Sequence, residues 1–104
     1  MLHIDDLRNL CFDENIAVSK HARKRLLERS IALDDIKIAV FNGEIIRQYE
    51  DDRPFPSCLI LGLTKNNKHI HVVASIDNEY LHIITAYYPD TSVWDADFKT
   101  KKEV

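Results

Sequence analysis

Residues 69–89, HIHVVASIDNEYLHIITAYYP, decide the fold of this chain. Two runs rich in β-branched and aromatic residues, 69–76 and 80–88, flank the turn-forming pair Asp77-Asn78, which is the pattern of a β-hairpin. Pro89 follows the second run, and proline cannot donate a hydrogen bond to a sheet. The stretch therefore predicts two antiparallel strands that end at Pro89.

Two further strands are predicted upstream of this hairpin. The apolar run 57–63 is typical of a buried strand, and the polar turn 65–68 separates it from the hairpin. Residues 44–49 alternate weakly between apolar and polar, and a loop with two prolines, 51–56, follows them. Four strands in this order favour an antiparallel meander.

The first half of the chain predicts helices. Apolar residues at helical spacing run from residue 4 to about 12, and Ser19 is a good N-cap for a second helix. The apolar side of this second helix consists of Ala22, Leu26 and Leu27. A third helix fits 33–41, and Asn42-Gly43 predicts a left-handed stop after it. Helices followed by a meander predict an α+β fold of two layers, with about four antiparallel strands.

Length and composition limit the class of protein. The 104 residues fit a single domain, 1–104, with one modest core. The formal net charge of −3 argues against non-specific coating of nucleic acid, although it permits a local basic patch. No apolar run reaches the roughly 20 residues of a membrane span, and the N-terminus does not resemble a signal peptide. We expect a cytoplasmic protein, with Cys11 and Cys58 buried and reduced.

A basic stripe is the first candidate site. The stretch 19–31 carries five of the fourteen lysines and arginines, and on a helix His21, Arg25 and Arg29 recur every four residues on one side. An imidazole beside two fixed cations is able to hold a phosphate and to transfer a proton next to it. The alternative interpretation is a solvated helix face, with Arg29 satisfying carbonyls or pairing with an aspartate of the next helix.

Three histidines form a second candidate site. His69 and His71 share one face of their strand, and a two-residue turn would place Val73 opposite His82, on that same face. Three imidazoles that share a face are able to bind zinc. No Cys, Asp or Glu clearly completes the set, so a metal site is the less favoured alternative.

Hydroxyl groups close the last predicted strand, where Thr85, Tyr87 and Tyr88 precede Pro89. Tyrosines at a strand end most often pack against the core, but they also stack on bases or donate protons to phosphate. The chain contains no nucleotide-binding or hydrolase fingerprint, and its two glycines nearly exclude a backbone cradle for phosphate.

Several segments follow one another in an order that resembles a known family. They are His21-Ala22-x-x-Arg25-x-x-x-Arg29-x-Ile31, Asp34-Asp35-Ile36, Asn42-Gly43-Glu44-Ile45-Ile46, His71-Val72-Val73, and Ile83-Ile84-Thr85-Ala86-Tyr87-Tyr88-Pro89-Asp90 with Trp94 after it. Over residues 19–102 the chain resembles a small prokaryotic family classed as a domain of unknown function. That family is similar to the RelE/BrnT-like toxins, and its members often neighbour antitoxins with an MqsA/YgiT-type zinc finger. In two departures, Ser30 stands where glycine is common and Ala32 replaces a capping Ser or Thr.

The resemblance implies a fold of the RNase-toxin type, with helices packed on a curved antiparallel sheet. It implies the toxin of a type II toxin-antitoxin system, which cleaves RNA and is held in check by a zinc-finger or DNA-binding antitoxin. The positions that match the family are His21, Arg25, Arg29, His71, Thr85 and Tyr87.

The leading hypothesis is a metal-independent endoribonuclease without a cofactor, in which the ribose 2′-hydroxyl attacks the adjacent phosphorus. The candidate catalytic residues are His21, Arg25, His71 and Tyr87. Either histidine would act as base or acid, the arginine would clamp the phosphate, and the tyrosine would donate a proton or stack on a base. The candidates for binding substrate are Lys24, Arg29, Thr85 and Tyr88. The alternative is a non-catalytic protein- or RNA-binding module of the same fold, and the sequence leaves open whether either is a homo-oligomer.

Overall fold

Three helices lie against a five-stranded mixed sheet in the computed structural model, which describes residues 1–103. The helices are α1 (Ile4–Asn9), α2 (Lys20–Glu28) and α3 (Leu33–Asn42), with a short 3₁₀ turn at Asp13–Asn15. The strands are β1 (Ile16–Val18), β2 (Glu44–Tyr49), β3 (Ser57–Leu63), β4 (His69–Ile76) and β5 (Leu81–Tyr87). The predicted α+β class is confirmed, while α1 ends three residues before the predicted limit near residue 12.

The sheet contains one strand more than the sequence predicted, and it is not purely antiparallel. Its order is β1-β5-β4-β3-β2, with β2 to β5 antiparallel as predicted. β1 pairs in parallel with β5, from Ile16 beside Leu81 to Val18 beside Ile83. The prediction of about four antiparallel strands was wrong on this point because a three-residue strand is too short to show a periodic pattern. Its partner also lies far along the chain.

The main core lies between the helices and one face of the sheet. It includes Leu26 of α2, Ile36 and Val40 of α3, and Ile60 and Val72 of the sheet. Ser19 caps α2 as predicted, because its hydroxyl accepts the Ala22 N–H at 3.1 Å. The predicted burial of Leu27 was wrong: its side chain is 76% exposed, on the outer side of α2.

The end of α3 differs from the predicted left-handed stop. Gly43 has φ −91° and ψ −177°, which is an extended conformation. The Asn42 side chain instead fixes the helix end to the sheet, since its amide donates to the Leu63 carbonyl and its oxygen accepts the Leu63 N–H, both at 2.9 Å. Gly43 is needed for space: a Cβ there would lie 2.5 Å from the Ala39 carbonyl oxygen.

The hairpin of β4 and β5 is confirmed, but its register differs from the predicted one. Residues 77–80 form the turn, closed by the Asp77 N–H on the Tyr80 carbonyl. Further from the turn, a bulge shifts the pairing of β4 with β5 between Val73 and Ala74. His82 therefore lies opposite Ser75 and not, as predicted, opposite Val73, which pairs with Thr85.

The C-terminal segment, residues 89–103, folds back and covers the second face of the sheet. Trp94 is 4% exposed there, and its backbone forms a bridge with Lys101. An ion pair between Lys99 and Glu44 fastens the segment to β2. This second face, and not the helix face, carries most of the polar side chains discussed below.

Cys11 and Cys58 are both buried free thiols, as predicted. Burial raises the pKa of Cys58 to about 12, so this thiol stays protonated. Among residues 1–103 there is no helix of the length and apolar character needed to cross a membrane.

Candidate functional site

The structure divides the predicted site residues between two places. His21, Lys24 and Arg25 lie on the exposed outer side of α2. His71 and Tyr87 lie on the second face of the sheet, beneath the C-terminal segment. Arg29 and Thr85 contact each other at the end of α2. The predicted stripe and the predicted tyrosine therefore do not form a single cluster.

The outer side of α2 is a basic helix surface. Arg25 Nη1 lies 3.8 Å from Glu28 Oε2 on the same helix, and both side chains are about half exposed. Beside it, Lys20, Arg23 and Lys24 surround the exposed Leu27 in an open groove of about 620 Å³. In the part of the chain that the structure describes, none of these three cations pairs with a carboxylate.

Arg29 joins α2 to the last strand. Its Nη1 donates to Thr85 Oγ1 at 3.0 Å and to the Ala86 carbonyl oxygen at 2.9 Å. The structural interpretation, in which this arginine satisfies a carbonyl, is confirmed. Thr85, predicted to bind substrate, is here the acceptor for Arg29, so the pair fixes the position of β5 beside the site.

A cleft of about 300 Å³ opens on the second face of the sheet. We call it the tyrosine cleft. Its lining residues come from β2, from the end of β5 and from the C-terminal segment; they are Tyr49, Tyr87, Tyr88, Asp90, Val93, Trp94 and Lys101. The cleft thus brings two predicted site residues, Tyr87 and Tyr88, next to groups that are distant in sequence.

Two cations flank the Trp94 ring beside the tyrosine cleft. Arg47 Cζ lies 5.4 Å and Lys101 Nζ 5.6 Å from its centroid, within the range of cation–π attraction. Arg47 Nε is buried without a hydrogen-bond partner, and within residues 1–103 Arg47 has no ion pair with a carboxylate. Because no carboxylate among residues 1–103 neutralises this guanidinium, this side of the cleft suits an anion.

His71 lies beneath the cleft and is fully buried. Its Nδ1 is 3.2 Å from the Tyr87 hydroxyl and its Nε2 is 2.8 Å from the Phe98 carbonyl oxygen. Trp94 packs edge-on against the imidazole, with 4.5 Å between centroids. Burial lowers the pKa of His71, and the nearby charges of Arg47 and His69 lower it further against the effect of the Phe98 carbonyl. The ring is therefore neutral at pH 7, and it does not reach the solvent.

The Tyr87 hydroxyl is the titratable group of the cleft that contacts this histidine. Burial raises the pKa of Tyr87, and Tyr49 adds to the increase, while the charges of Arg47 and Arg29 oppose it. Tyr87 is a neutral phenol at pH 7, able to donate its proton but not to act unaided as a strong base.

The three histidines of the hypothetical zinc site are apart. His69 stacks on Phe98, with 4.7 Å between ring centroids. His82 Nε2 bonds to Asp77 Oδ2 at 2.8 Å, and both ring nitrogens of His71 are in hydrogen bonds. Across residues 1–103 no three His, Cys, Asp or Glu side chains are grouped as metal ligands. The zinc alternative required a two-residue turn, which the hairpin does not have.

The sequence did not predict a role in the site for four residues that lie in or beside the cleft: Arg47, Tyr49, Trp94 and Lys101. Arg47 and Tyr49 stand two positions apart on β2, so they share a face. That spacing is the only local signal. The contribution of Trp94 and Lys101 depends on how the C-terminal segment folds, which no local pattern specifies.

Comparison with known proteins gives one match. A family model described as "Domain of unknown function (DUF4258)" matches residues 18–88, which is more than half of the chain. No curated protein and no solved structure matches the chain. The matched segment contains α2 to β5, with His71 and Tyr87, but it ends before Trp94, Phe98 and Lys101.

Proposed function

The chain belongs to the DUF4258 family, whose function is unknown, and from that premise we propose that it is a metal-independent endoribonuclease with its active site in the tyrosine cleft. The observation that carries the proposal is Arg47, a half-buried cation that has no carboxylate partner among residues 1–103 and whose charge acts on the Tyr87 hydroxyl. A phosphate diester bound in the cleft would supply a negative charge for this guanidinium.

The groups around the cleft suit RNA in particular. Arg47 and Lys101 provide positive charge for the phosphate and for the additional charge of a phosphorane. Tyr49 and Tyr88 provide aromatic surfaces at the cleft for unstacked bases. Asp90 is the acidic group of the lining, and it is engaged in its own turn, where it accepts the Ser92 N–H at 2.8 Å.

The reaction that fits these groups uses the ribose 2′-hydroxyl as nucleophile. A bond forms between the 2′-oxygen and phosphorus, the bond from phosphorus to the 5′-oxygen breaks, and the 2′ proton moves to the leaving 5′-oxygen. The products are a 2′,3′-cyclic phosphate and a 5′-hydroxyl. In the proposed reaction Tyr87 would transfer the proton, and Arg47 would stabilise the developing charge.

This assignment changes the roles predicted from the sequence. Tyr87 keeps its catalytic role and Tyr88 its role in substrate binding. His71 cannot touch a substrate from its buried position. His21, Lys24 and Arg25 become contacts for the RNA backbone on the outside of α2, and Arg29 with Thr85 supports β5.

The biological role that we propose is the toxin of a type II toxin-antitoxin system. It rests on the ordered segments that resemble the RelE/BrnT-like toxins, together with the cleft. The partner would be a zinc-finger or DNA-binding antitoxin that blocks the cleft. Production of the protein alone in a bacterial host should then arrest growth, and production of the Tyr87→Phe variant should not.

The direct test is cleavage of a mixed single-stranded RNA in EDTA by the wild type, Tyr87→Phe and Arg47→Gln. We expect each variant to be at least about 100-fold slower, since proton transfer and charge stabilisation each contribute on that scale. Arg53→Gln is the matched control, because it removes an exposed cation in the loop before β3, outside both the cleft and the basic surface of α2. Equal rates in all four proteins, or no cleavage by any of them, would contradict the proposal.

The second candidate function is a binding module without catalysis. It is favoured by the cations of α2 around the exposed Leu27, which pair with no carboxylate among residues 1–103. In that case Arg23→Gln and Lys24→Gln should weaken binding of RNA or of a partner, with a strong salt dependence for RNA, while Tyr87→Phe changes nothing.

A further inference from the structure

We propose that His71 is a positioning residue that holds and accepts the proton of Tyr87, with its tautomer fixed by the Phe98 carbonyl. This inference rests on the proposed function of Tyr87 and deepens it. It extends the active site into the C-terminal segment, which lies outside the matched family region.

The tautomer follows from the two hydrogen bonds of the ring. A carbonyl oxygen only accepts, so the 2.8 Å contact with Phe98 requires the proton of the neutral imidazole to be on Nε2. Nδ1 then carries a free lone pair. Because the Tyr87 hydroxyl lies 3.2 Å from Nδ1, it donates its proton to His71 and turns an oxygen lone pair away from the ring.

This arrangement gives Tyr87 the basicity that it lacks alone. When the 2′-hydroxyl attacks phosphorus, its proton passes to the Tyr87 oxygen and the original phenol proton passes to His71 Nδ1. As the bond to the 5′-oxygen breaks, the imidazolium returns that proton to Tyr87, and Tyr87 protonates the 5′-oxygen. No proton is gained or lost over the cycle, and no further reactant is needed.

The surroundings of His71 make the protonated ring short-lived. Arg47 on β2 and His69 on β4 both disfavour a second positive charge, and Trp94 and Tyr87 exclude water from the ring. The Phe98 carbonyl is the group that favours the imidazolium. The imidazolium therefore forms only as a short-lived intermediate, which suits a residue that passes a proton on during the reaction.

The backbone at Phe98 is consistent with this role. Phe98 has φ +56°, a left-handed conformation that is unfavourable for a bulky residue. Its ring stacks on His69 while its carbonyl accepts from His71. Unfavourable conformations of this kind persist where the surroundings hold them in place, and they are concentrated at functional sites.

The first test does not depend on catalysis. Long-range ¹H–¹⁵N correlation NMR of the free protein at pH 7 distinguishes protonated from unprotonated ring nitrogens. We expect Nε2 of His71 to carry the proton and the Nδ1 resonance to shift in Tyr87→Phe. Tyr88→Phe is the matched control and should leave that resonance unchanged. A proton on Nδ1, or identical spectra for the wild type and Tyr87→Phe, would overturn the proposal even if the protein cleaves RNA.

The second test is the pH dependence of cleavage. A protonated His71 cannot accept a proton, so the wild-type rate should fall on the acid side, below the ordinary pKa of 6.5, because the pKa of His71 is lowered. His71→Asn should lose this acid limb and be about 100-fold slower at pH 7. His3→Gln, at an exposed histidine on the N-terminal side of α1, should keep both rate and profile.

The outcomes separate this inference from the function on which it rests. Absence of cleavage with the expected tautomer removes the nuclease and leaves the hydrogen-bond arrangement. Cleavage with an unchanged acid limb in His71→Asn removes the relay and keeps the nuclease. If His71→Asn fails to fold, the tautomer and the Tyr87→Phe spectra still decide the matter.

Discussion

At the scale of single residues, the backbone conformation of this chain departs from what its residue types prefer. Left-handed conformations occur at Ser30, Asn67 and Phe98, and not at either glycine. Ser30 has φ +55° in the turn between α2 and α3, at the position where the resembled family commonly has glycine. A left-handed conformation costs a non-glycine residue about 1–2 kcal/mol, and asparagine tolerates it best.

Ser30→Gly should therefore stabilise the protein. Glycine adopts this conformation freely, and the gain exceeds the extra entropy of the unfolded chain, so we expect about 0.5–1 kcal/mol in urea unfolding. Ser92→Gly is the matched control, at an exposed serine without a left-handed backbone, and should destabilise slightly. A lower unfolding midpoint for Ser30→Gly would show that its side chain matters more than its backbone.

Single residues also show which local signals were reliable. The hydroxyl of Ser19 was predicted as a cap from its position before a helical pattern, and a cap is a local contact, so sequence is sufficient to find it. Leu27 was predicted as buried because the helical spacing admits a broad apolar side. Its exposure depends on how far the sheet extends beneath α2, which no neighbour in the sequence specifies.

At the scale of elements, the closest packing is between α3 and the sheet. Both glycines contact the same residue of α3: a Cβ at Gly62 would lie 2.4 Å from the Ala39 carbonyl oxygen, and one at Gly43 2.5 Å from it. The obstacle is backbone, which cannot rotate away as a side chain can. The helix is thus held against β3 at a distance that only glycine permits.

Gly62→Ala should destabilise the fold by about 1–3 kcal/mol, the usual range for overpacking a core. The added methyl group must push α3 away from β3, and the helix then loses packing contacts with the sheet. Asn66→Ala, in the exposed turn after β3, is the control and should have little effect. Thermal unfolding of the two variants checks the prediction, which an unchanged midpoint for Gly62→Ala would contradict.

At the scale of the whole molecule, several titratable groups couple folding to pH in the same direction. The pKa of buried His71 is lowered, so the unfolded chain binds a proton more readily and stability falls as pH drops below 6.5. Three turn aspartates, Asp77, Asp90 and Asp97, also have lowered pKa values, mainly because of hydrogen bonds. Stability from these carboxylates is present above pH 3.8 and is lost below it.

Asp77→Asn should isolate the largest part of the carboxylate effect. Hydrogen bonds from His82 first, and from two backbone N–H groups, lower the pKa of Asp77 to about 2. The variant keeps an oxygen for the backbone bonds but loses the charge. We expect it to be less stable than the wild type at pH 7, with the difference shrinking as the pH falls from 3.8 through about 2.

Thermal unfolding across this pH range provides the measurement. Asp51→Asn is the control, at an exposed aspartate of the loop before β3. A stability difference between wild type and Asp77→Asn that is as large at pH 2 as at pH 7 would contradict the electrostatic explanation and would indicate a packing effect.

The whole molecule also shows where sequence reasoning fails. Strands β2 to β5 follow each other as neighbours, so their local patterns predicted the meander. The tyrosine cleft combines β2, β5 and the C-terminal segment, and β1 pairs with β5, which lies more than 60 residues later in the chain. Contacts of this kind depend on the completed topology. The basic stripe was visible in sequence because a helix is local, and the cleft was not.

The C-terminal segment has a consequence for the order in which the protein is made. A ribosome delivers the helices and β2 to β4 first, but β1 remains unpaired until β5 has emerged. Trp94, Phe98 and Lys101 emerge later still. Until then the cleft lacks the wall formed by Trp94, and His71 lacks the Phe98 carbonyl that fixes its tautomer. If the cleft cuts RNA, the nascent chain stays harmless until residues 89–103 have emerged and folded, and an inhibitor is needed only from that point.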